Sequence, residues 1–179
     1  MTQEPDFDMP PEISPSCEQL ALRARENYEE QFGTAPQALS RAPGRLEILG
    51  NHTDYNNGYI LSVALELSVV IAAGQEETSP RRLGAWSSTF NERIDAGLEE
   101  PAPLAGSWIN YPLGVLRELE RSGTQLPSIN LAIESSLPTG AGISSSAALE
   151  LATAEAAYGM LGGRPGDPME EARLCRRAE

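Results

Sequence analysis

Residues 137–151 read LPTGAGISSSAALEL, and this stretch decides how the rest of the chain is interpreted. Two glycines follow a strand-like segment, and Ser144, Ser145 and Ser146 precede an alanine- and leucine-rich run that predicts a helix. Such a turn leaves backbone N–H groups free and directs the positive end of the helix dipole at one point. The sequence therefore predicts an anion site, most simply a phosphate site. The alternative is a tight connection whose serines only cap the helix.

The basic residues restrict how phosphate could be held. The chain contains no lysine, and its thirteen basic residues are all arginine. A Walker-type loop needs a lysine that reaches the β- and γ-phosphates, so this loop is of another kind. The dinucleotide fingerprint also fits poorly, because its third small residue and a clear acidic ribose partner are missing. Backbone amides and hydroxyls would bind the phosphate, and a metal ion would supply the missing positive charge.

Composition excludes several classes of protein. With 179 residues the chain can bury one sizeable core, so one domain is the simplest expectation. A formal net charge of −13 argues against nonspecific binding to nucleic acid or to an anionic membrane. No apolar stretch is long enough to span a bilayer, and the acidic, proline-rich start is not a signal peptide. Cys17 and Cys175 fit no metal or redox spacing, which indicates a reducing, cytoplasmic location.

Periodicity predicts an α+β fold with four to six strands. We expect a mixed sheet with helices packed on one face. The first helix is predicted from Leu20, Ala24, Tyr28 and Phe32, which recur every four residues. Asp167 and Pro168 have the types expected at the start of a final helix. That helix runs to Glu179 without a stop signal, so the sequence is expected to be a fragment. The other predicted segments are strands at 39–49, 59–74 and 129–134, a hairpin of 82–87 with 91–95, and helices at 108–119 and 147–160.

A second cluster of polar residues lies between Arg41 and Tyr55. It contains Arg45, two glycines and His52, the chain's single histidine. Its mixture of amide, carboxylate and imidazole groups suits sugar hydroxyls, which both donate and accept hydrogen bonds. A nearby arginine suits the negative charge on a transferred phosphoryl group. The alternative is an ordinary polar turn, since Asn, Asp, Thr and Gly are turn-forming residues.

Taken together, the motifs resemble the GHMP kinases and, within them, the galactokinase family. RAPGRLEILGNHTDYNNGYILSVAL at 41–65 resembles the galactokinase signature, and LPTGAGISSSAALE at 137–150 resembles the phosphate loop of the superfamily. A third stretch, Trp108–Val115, is also similar, and order and spacing agree across Phe32–Glu179. The resemblance implies a ribosomal-S5-domain-2-like fold, with ATP and Mg²⁺ as cofactors. It also implies phosphorylation of galactose at the anomeric hydroxyl.

The resemblance further implies roles for individual residues. Arg45 would lie near the reacting hydroxyl and stabilise charge, and Ser146 and Glu179 would ligate Mg²⁺. Ser87 or Ser88, with Ser88 preferred, would lie near the nucleotide. The ATP phosphates would be wrapped by Gly140, Ala141, Gly142, Ile143, Ser144, Ser145 and Ser146. The sugar hydroxyls would be contacted by Asn51, His52, Thr53 and Asp54.

The sequence departs from the family pattern at several points. The family usually has an acidic residue at the position of Asn51 and an asparagine at that of Glu47, so sugar choice could differ. The family's catalytic aspartate and C-terminal domain lie beyond Glu179, so residues 1–179 alone are expected to turn over little substrate. Residues 1–16 are expected to form a flexible tail and 17–179 a truncated N-terminal domain. The alternatives are a non-catalytic sugar- and ATP-binding protein and a GHMP kinase for another sugar; the chain is expected to be a monomer.

Overall fold

The computed structural model describes residues 14–50, 58–99, 106–163 and 167–178. Within these ranges the chain forms five strands and four helices, which confirms the predicted α+β class. The elements in chain order are α1 (Cys17–Phe32), β1 (Ala38–Leu49), β2 (Leu61–Glu76), β3 (Arg82–Ser87), β4 (Glu92–Gly97), α2 (Asn110–Arg121), β5 (Ser128–Ser135), α3 (Ser145–Leu161) and α4 (Pro168–Ala178).

The strands form one mixed sheet in the order β1-β2-β5-β3-β4. All neighbours are antiparallel except β3 and β5, which run parallel. The predicted hairpin is confirmed as β3 and β4, with Ser87 opposite Glu92. The central strand β5 is buried along almost its whole length because both of its faces are covered. This strand leads directly into the loop at 136–144 and then into α3.

Helices cover both faces of the sheet. On β2, Val69 and Ile71 belong to the larger core, which α2, α3 and α4 share. The alternate residues Val70 and Ala72 face the other way and pack with α1. Three of the four helices, α2, α3 and α4, therefore lie on one face of the sheet, as expected. The fourth, α1, buries its predicted apolar stripe against the second face.

The helix ends follow the chemistry expected from the sequence. Ser16 and Gln19 form a capping box at the start of α1, and Gly33 ends that helix in a left-handed conformation. At α4, Asp167 Oδ1 accepts a hydrogen bond of 2.9 Å from the backbone N–H of Met169, which confirms the predicted cap.

An irregularity in β1 determines how this strand meets the rest of the molecule. The register with β2 shifts between Pro43 and Arg45, because proline has no N–H to donate to the ladder. Gly44 lies at the shift, where a Cβ atom would be 2.4 Å from Leu137 Cδ2 and 3.0 Å from the carbonyl oxygen of Ile143. The missing side chain thus lets the bulge of β1 lie directly against the loop before α3.

Candidate functional site

The loop between β5 and α3 has an unusual backbone. Gly140, Gly142 and Ser144 adopt φ angles of 73°, 71° and 60°, so every second residue is left-handed. Turns that contain left-handed residues can aim successive N–H groups at one point and form concave anion sites. Among the described residues, no backbone N–H at positions 140–147 donates a hydrogen bond to a backbone carbonyl group. These groups lie at the N-terminus of α3, so the geometry suits an anion.

Ser144 distinguishes between the two interpretations of residues 144–146, a phosphate site and a simple helix cap. It precedes α3 at the N-cap position, but its side chain makes no capping hydrogen bond. Its hydroxyl oxygen accepts a hydrogen bond of 3.0 Å from Nε of Arg45. The alternative in which the serines only cap the helix therefore does not describe Ser144.

Arg45 joins β1 to the loop through both its main chain and its side chain. Its backbone N–H donates to the carbonyl of Ile143 at 3.0 Å. Its Nη1 lies 2.7 Å from Oε2 of Glu47, and the Arg45 side chain remains 43 % exposed whereas that of Glu47 is 16 % exposed. The guanidinium is therefore fixed at two nitrogens and still accessible to a ligand. Sequence reasoning selected Arg45 but not its partner Glu47.

An open cleft adjoins the loop. Phe90 and Trp108 stack along it, with ring centroids 5.9 Å apart and planes 12° apart, and the indole Nε1 of Trp108 donates to Glu92 at 3.0 Å. Such a combination of aromatic and polar walls suits a planar base whose charged groups extend towards the loop. The polar and aromatic residues that line it are Ser87, Thr89, Phe90, Trp108, Tyr111, Ser135, Thr139, Ser145 and Ser146.

The structure distinguishes Ser87 from Ser88. Ser87 lines the cleft, whereas the Ser88 hydroxyl donates to the carbonyl of Ile133 at 3.2 Å. Beside Ser88, Glu134 is 4 % exposed and accepts a hydrogen bond of 2.8 Å from Asn27. Burial raises the pKa of Glu134, although hydrogen bonds from Ser88 and Asn27 act in the opposite direction. A buried carboxyl group, that of Glu134, thus lies beside the turn that carries Phe90. The sequence analysis did not select Glu134 as a site residue.

Several predicted site residues lie outside the described part of the chain. These are Asn51, His52, Thr53 and Asp54, which follow β1, and Glu179, which follows α4. Of the predicted Mg²⁺ ligands, Ser146 is described, and its hydroxyl oxygen is a donor type that Mg²⁺ accepts together with phosphate oxygens. The described ranges contain no group of three or more His, Cys, Asp or Glu that could hold a metal by itself. In the same ranges no helix has the length and apolar character needed to cross a membrane.

Family comparisons cover both motif regions. The galactokinase galactose-binding signature matches residues 26–75, and the N-terminal domain of GHMP kinases matches residues 110–179. The chain is 35 % identical to the galactokinase of Streptomyces coelicolor over 90 % of its own length and 42 % of the relative's. It is 36 % identical to the galactokinase of Homo sapiens over 92 % of its length and 43 % of the relative's. The chain thus spans less than half the length of these relatives.

Solved structures with the same fold support the comparison. The galactokinase of Lactococcus lactis, complexed with galactose, superposes with a TM-score of 0.75 at 26 % identity, over 88 % of this chain and 41 % of that one. The mevalonate kinase of Methanococcus jannaschii gives a TM-score of 0.66 at 20 % identity, over 80 % and 46 % of the two chains. The second likeness shows the fold alone. Both the family and the fold expected from the sequence are confirmed.

Proposed function

The chain belongs to the GHMP kinases and matches the N-terminal portion of galactokinases, and on this premise we propose that it is the ATP- and sugar-binding part of a galactose kinase. The complete reaction would transfer the γ-phosphoryl group of ATP to the anomeric hydroxyl of galactose. One observation carries the proposal: Arg45, on the strand β1 within the matched galactose-binding signature, is hydrogen-bonded to the loop before α3. That contact would bring the acceptor side and the phosphate side of the site together.

The nucleotide would lie along the cleft and the loop. The base would enter the aromatic part near Phe90 and Trp108, and the phosphates would accept hydrogen bonds from loop N–H groups. Ser146 and Glu179 would hold Mg²⁺, which supplies positive charge to the phosphates when it is bound. The absence of lysine supports these assignments, since residues 1–179 contain no lysine ammonium group to supply that charge.

The sugar would be bound by the residues that follow β1. Asn51, His52, Thr53 and Asp54 provide donors and acceptors that suit vicinal hydroxyl groups. Arg45 lies on β1, the strand that precedes this segment in the sequence, and contacts the loop with its guanidinium partly exposed. Its fixed charge would stabilise the negative charge that develops on the transferred group.

Three further expectations belong to the same proposal. We place the protein in the cytoplasm, because ATP is available there and Cys17 and Cys175 are both free thiols. We expect the chain to act as a monomer. We also expect residues 17–179 to form one domain, since α2, α3 and α4 share one core with the sheet.

Calorimetry with Mg-ATP and with galactose, titrated separately, tests the proposal. We expect the chain to bind Mg-ATP and the Ser146→Ala variant to bind it at least about tenfold more weakly, because a hydroxyl ligand is lost. Ser122→Ala is the matched control, since this serine lies at the end of α2 and its hydroxyl bonds the carbonyl of Leu119. Failure to bind Mg-ATP, or equal effects of the two variants, would contradict the assignment.

A panel of sugars tests the acceptor. We expect galactose to bind more tightly than glucose or N-acetylgalactosamine, and Asp54→Asn to weaken galactose binding. Binding of another sugar in preference to galactose would instead favour the alternative of a GHMP kinase with a different substrate. The neutral side chain of Asn51 is the feature of this sequence that favours that alternative.

A further inference from the structure

The ion pair between Arg45 and Glu47 alters the charge of the phosphate loop. Arg45 is the one basic side chain that the described parts of the chain place in hydrogen-bond contact with this loop. Its Nη1 lies 2.7 Å from Glu47 Oε2, and the carboxylate is largely buried. The carboxylate of Glu47, on the same strand as Arg45, therefore offsets the positive charge that Arg45 brings to the loop.

The second carboxylate oxygen of Glu47 indicates that this residue does more than complete an ion pair. Oε1 is buried, and no hydrogen-bond partner for it is found among the described residues. A buried acceptor without a partner is unfavourable for the folded state, and native proteins contain few of them. The negative charge is thus only partly compensated by hydrogen bonds, so its field extends to the neighbouring loop.

We propose that Glu47 makes the loop selective for metal-bound over metal-free triphosphate. Glu47 offsets much of the positive charge that Arg45 brings to the loop, so N–H groups and hydroxyls are the main groups that hold an anion there. A metal-free triphosphate brings about four negative charges to this site and meets Glu47 within about one Debye length. A metal-bound triphosphate carries about two fewer negative charges, so the repulsion is roughly halved. This inference rests on the proposed function, because it assumes that phosphate binds at the loop.

The test is calorimetry with inorganic tripolyphosphate, either in EDTA or in excess Mg²⁺. We expect Glu47→Gln to tighten binding in EDTA by about tenfold and to change binding in Mg²⁺ much less, because repulsion scales with the charge of the ligand. Glutamine keeps an acceptor for Arg45, so thermal unfolding should show a folded protein. Glu47→Asn, which is also neutral, serves if the first variant does not fold.

Glu99→Gln is the matched control. Glu99 also pairs with an arginine, Arg81, at 3.2 Å, and its substitution changes the net charge of the chain by the same amount. Equal tightening by the two variants would show a general charge effect and overturn the inference, as would an equal change in EDTA and in Mg²⁺. Absence of tripolyphosphate binding in all forms would overturn it too. Gain of binding in EDTA by Glu47→Gln, with no Mg-ATP binding by the wild type, would support Glu47 while contradicting the proposed function.

Discussion

Arg45 Nε lies 3.0 Å from Ser144 Oγ, so two residues that are 99 positions apart in sequence meet at the junction of β1 and the loop before α3. The backbone reinforces this side-chain contact, because the N–H of Arg45 donates to the carbonyl of Ile143. Two hydrogen bonds therefore hold β1 and the loop before α3 in one rigid frame.

Ser144→Gly separates the contribution of the hydroxyl from that of the backbone. The φ of 60° at Ser144 suits glycine, and the hydroxyl makes no helix cap, so the free energy of unfolding should change by less than about 1 kcal/mol. Mg-ATP binding should weaken severalfold because Arg45 loses one of its two side-chain partners. Thermal unfolding and calorimetry measure the two effects. Unchanged affinity would show that the contact to Arg45 is dispensable.

Gly44→Ala should disturb the contact between β1 and the loop. The new methyl group would lie 2.4 Å from Leu137 Cδ2 and 3.0 Å from the carbonyl of Ile143, so neighbouring atoms must move. We expect a loss of about 1–3 kcal/mol in urea unfolding, typical of overpacking, together with weaker Mg-ATP binding. Gly163→Ala is the control, because a Cβ there has no neighbour within 4 Å. A variant as stable as this control would refute the close approach.

Trp108 should report on the nucleotide through its fluorescence. It stacks with Phe90 in the cleft, whereas the other tryptophan, Trp86, packs against the core next to α1. We expect Mg-ADP to quench the emission of the wild type and of Trp86→Phe, and to leave Trp108→Phe unchanged. The reverse pattern would place the base elsewhere.

The buried carboxyl group of Glu134 should make the free energy of unfolding fall as the pH rises. Burial raises its pKa above the ordinary value of 4.5, so the folded chain keeps this proton at pH values where the unfolded chain has lost it. Its contribution is therefore complete below pH 4.5 and is lost as the pH rises through the folded-state pKa. Relative to the wild type, Glu134→Gln should gain stability in urea unfolding as the pH rises from 4.5 through the folded-state pKa of Glu134.

The control for this experiment is Glu29→Gln, an exposed position on α1 that changes the net charge equally. The same dependence on pH for both variants, or a constant difference between Glu134→Gln and the wild type, would show that the buried carboxyl group is not the source of the dependence.

Local signals in the sequence predicted much of this fold. The stripe of Leu20, Ala24 and Tyr28 marked α1, and Asp167 marked the start of α4, because caps and helical periodicity are properties of neighbouring residues. Ser68 shows where such reasoning fails. Ser68 alternates with the apolar Leu67 and Val69, a pattern typical of a solvent-facing side chain, yet Ser68 is fully buried, and α1 packs on Val70 and Ala72 on that side of the sheet.

The site was predictable in part for the same reason. The loop glycines and serines and Arg45 carry their chemistry in short motifs, whereas the partnership of Arg45 with Ser144 depends on a contact that no local pattern reveals. The same holds for Phe90, whose stacking on Trp108 depends on how the β3–β4 turn packs against the start of α2. The nucleotide role assigned to Ser88 stays a prediction, and Ser87 is the neighbour that faces the cleft.

The left-handed loop at 140–144 has a consequence for genetics. Its N–H donors are main-chain atoms, so an alanine scan would leave every one of them in place and would report only the left-handed backbone at Gly140 and Gly142 and the lost serine hydroxyls. Amide-to-ester replacements at positions 141–147 would delete single donors and show which of them matter. A site built in this way is vulnerable to changes in backbone chemistry that substitutions of side chains do not reveal.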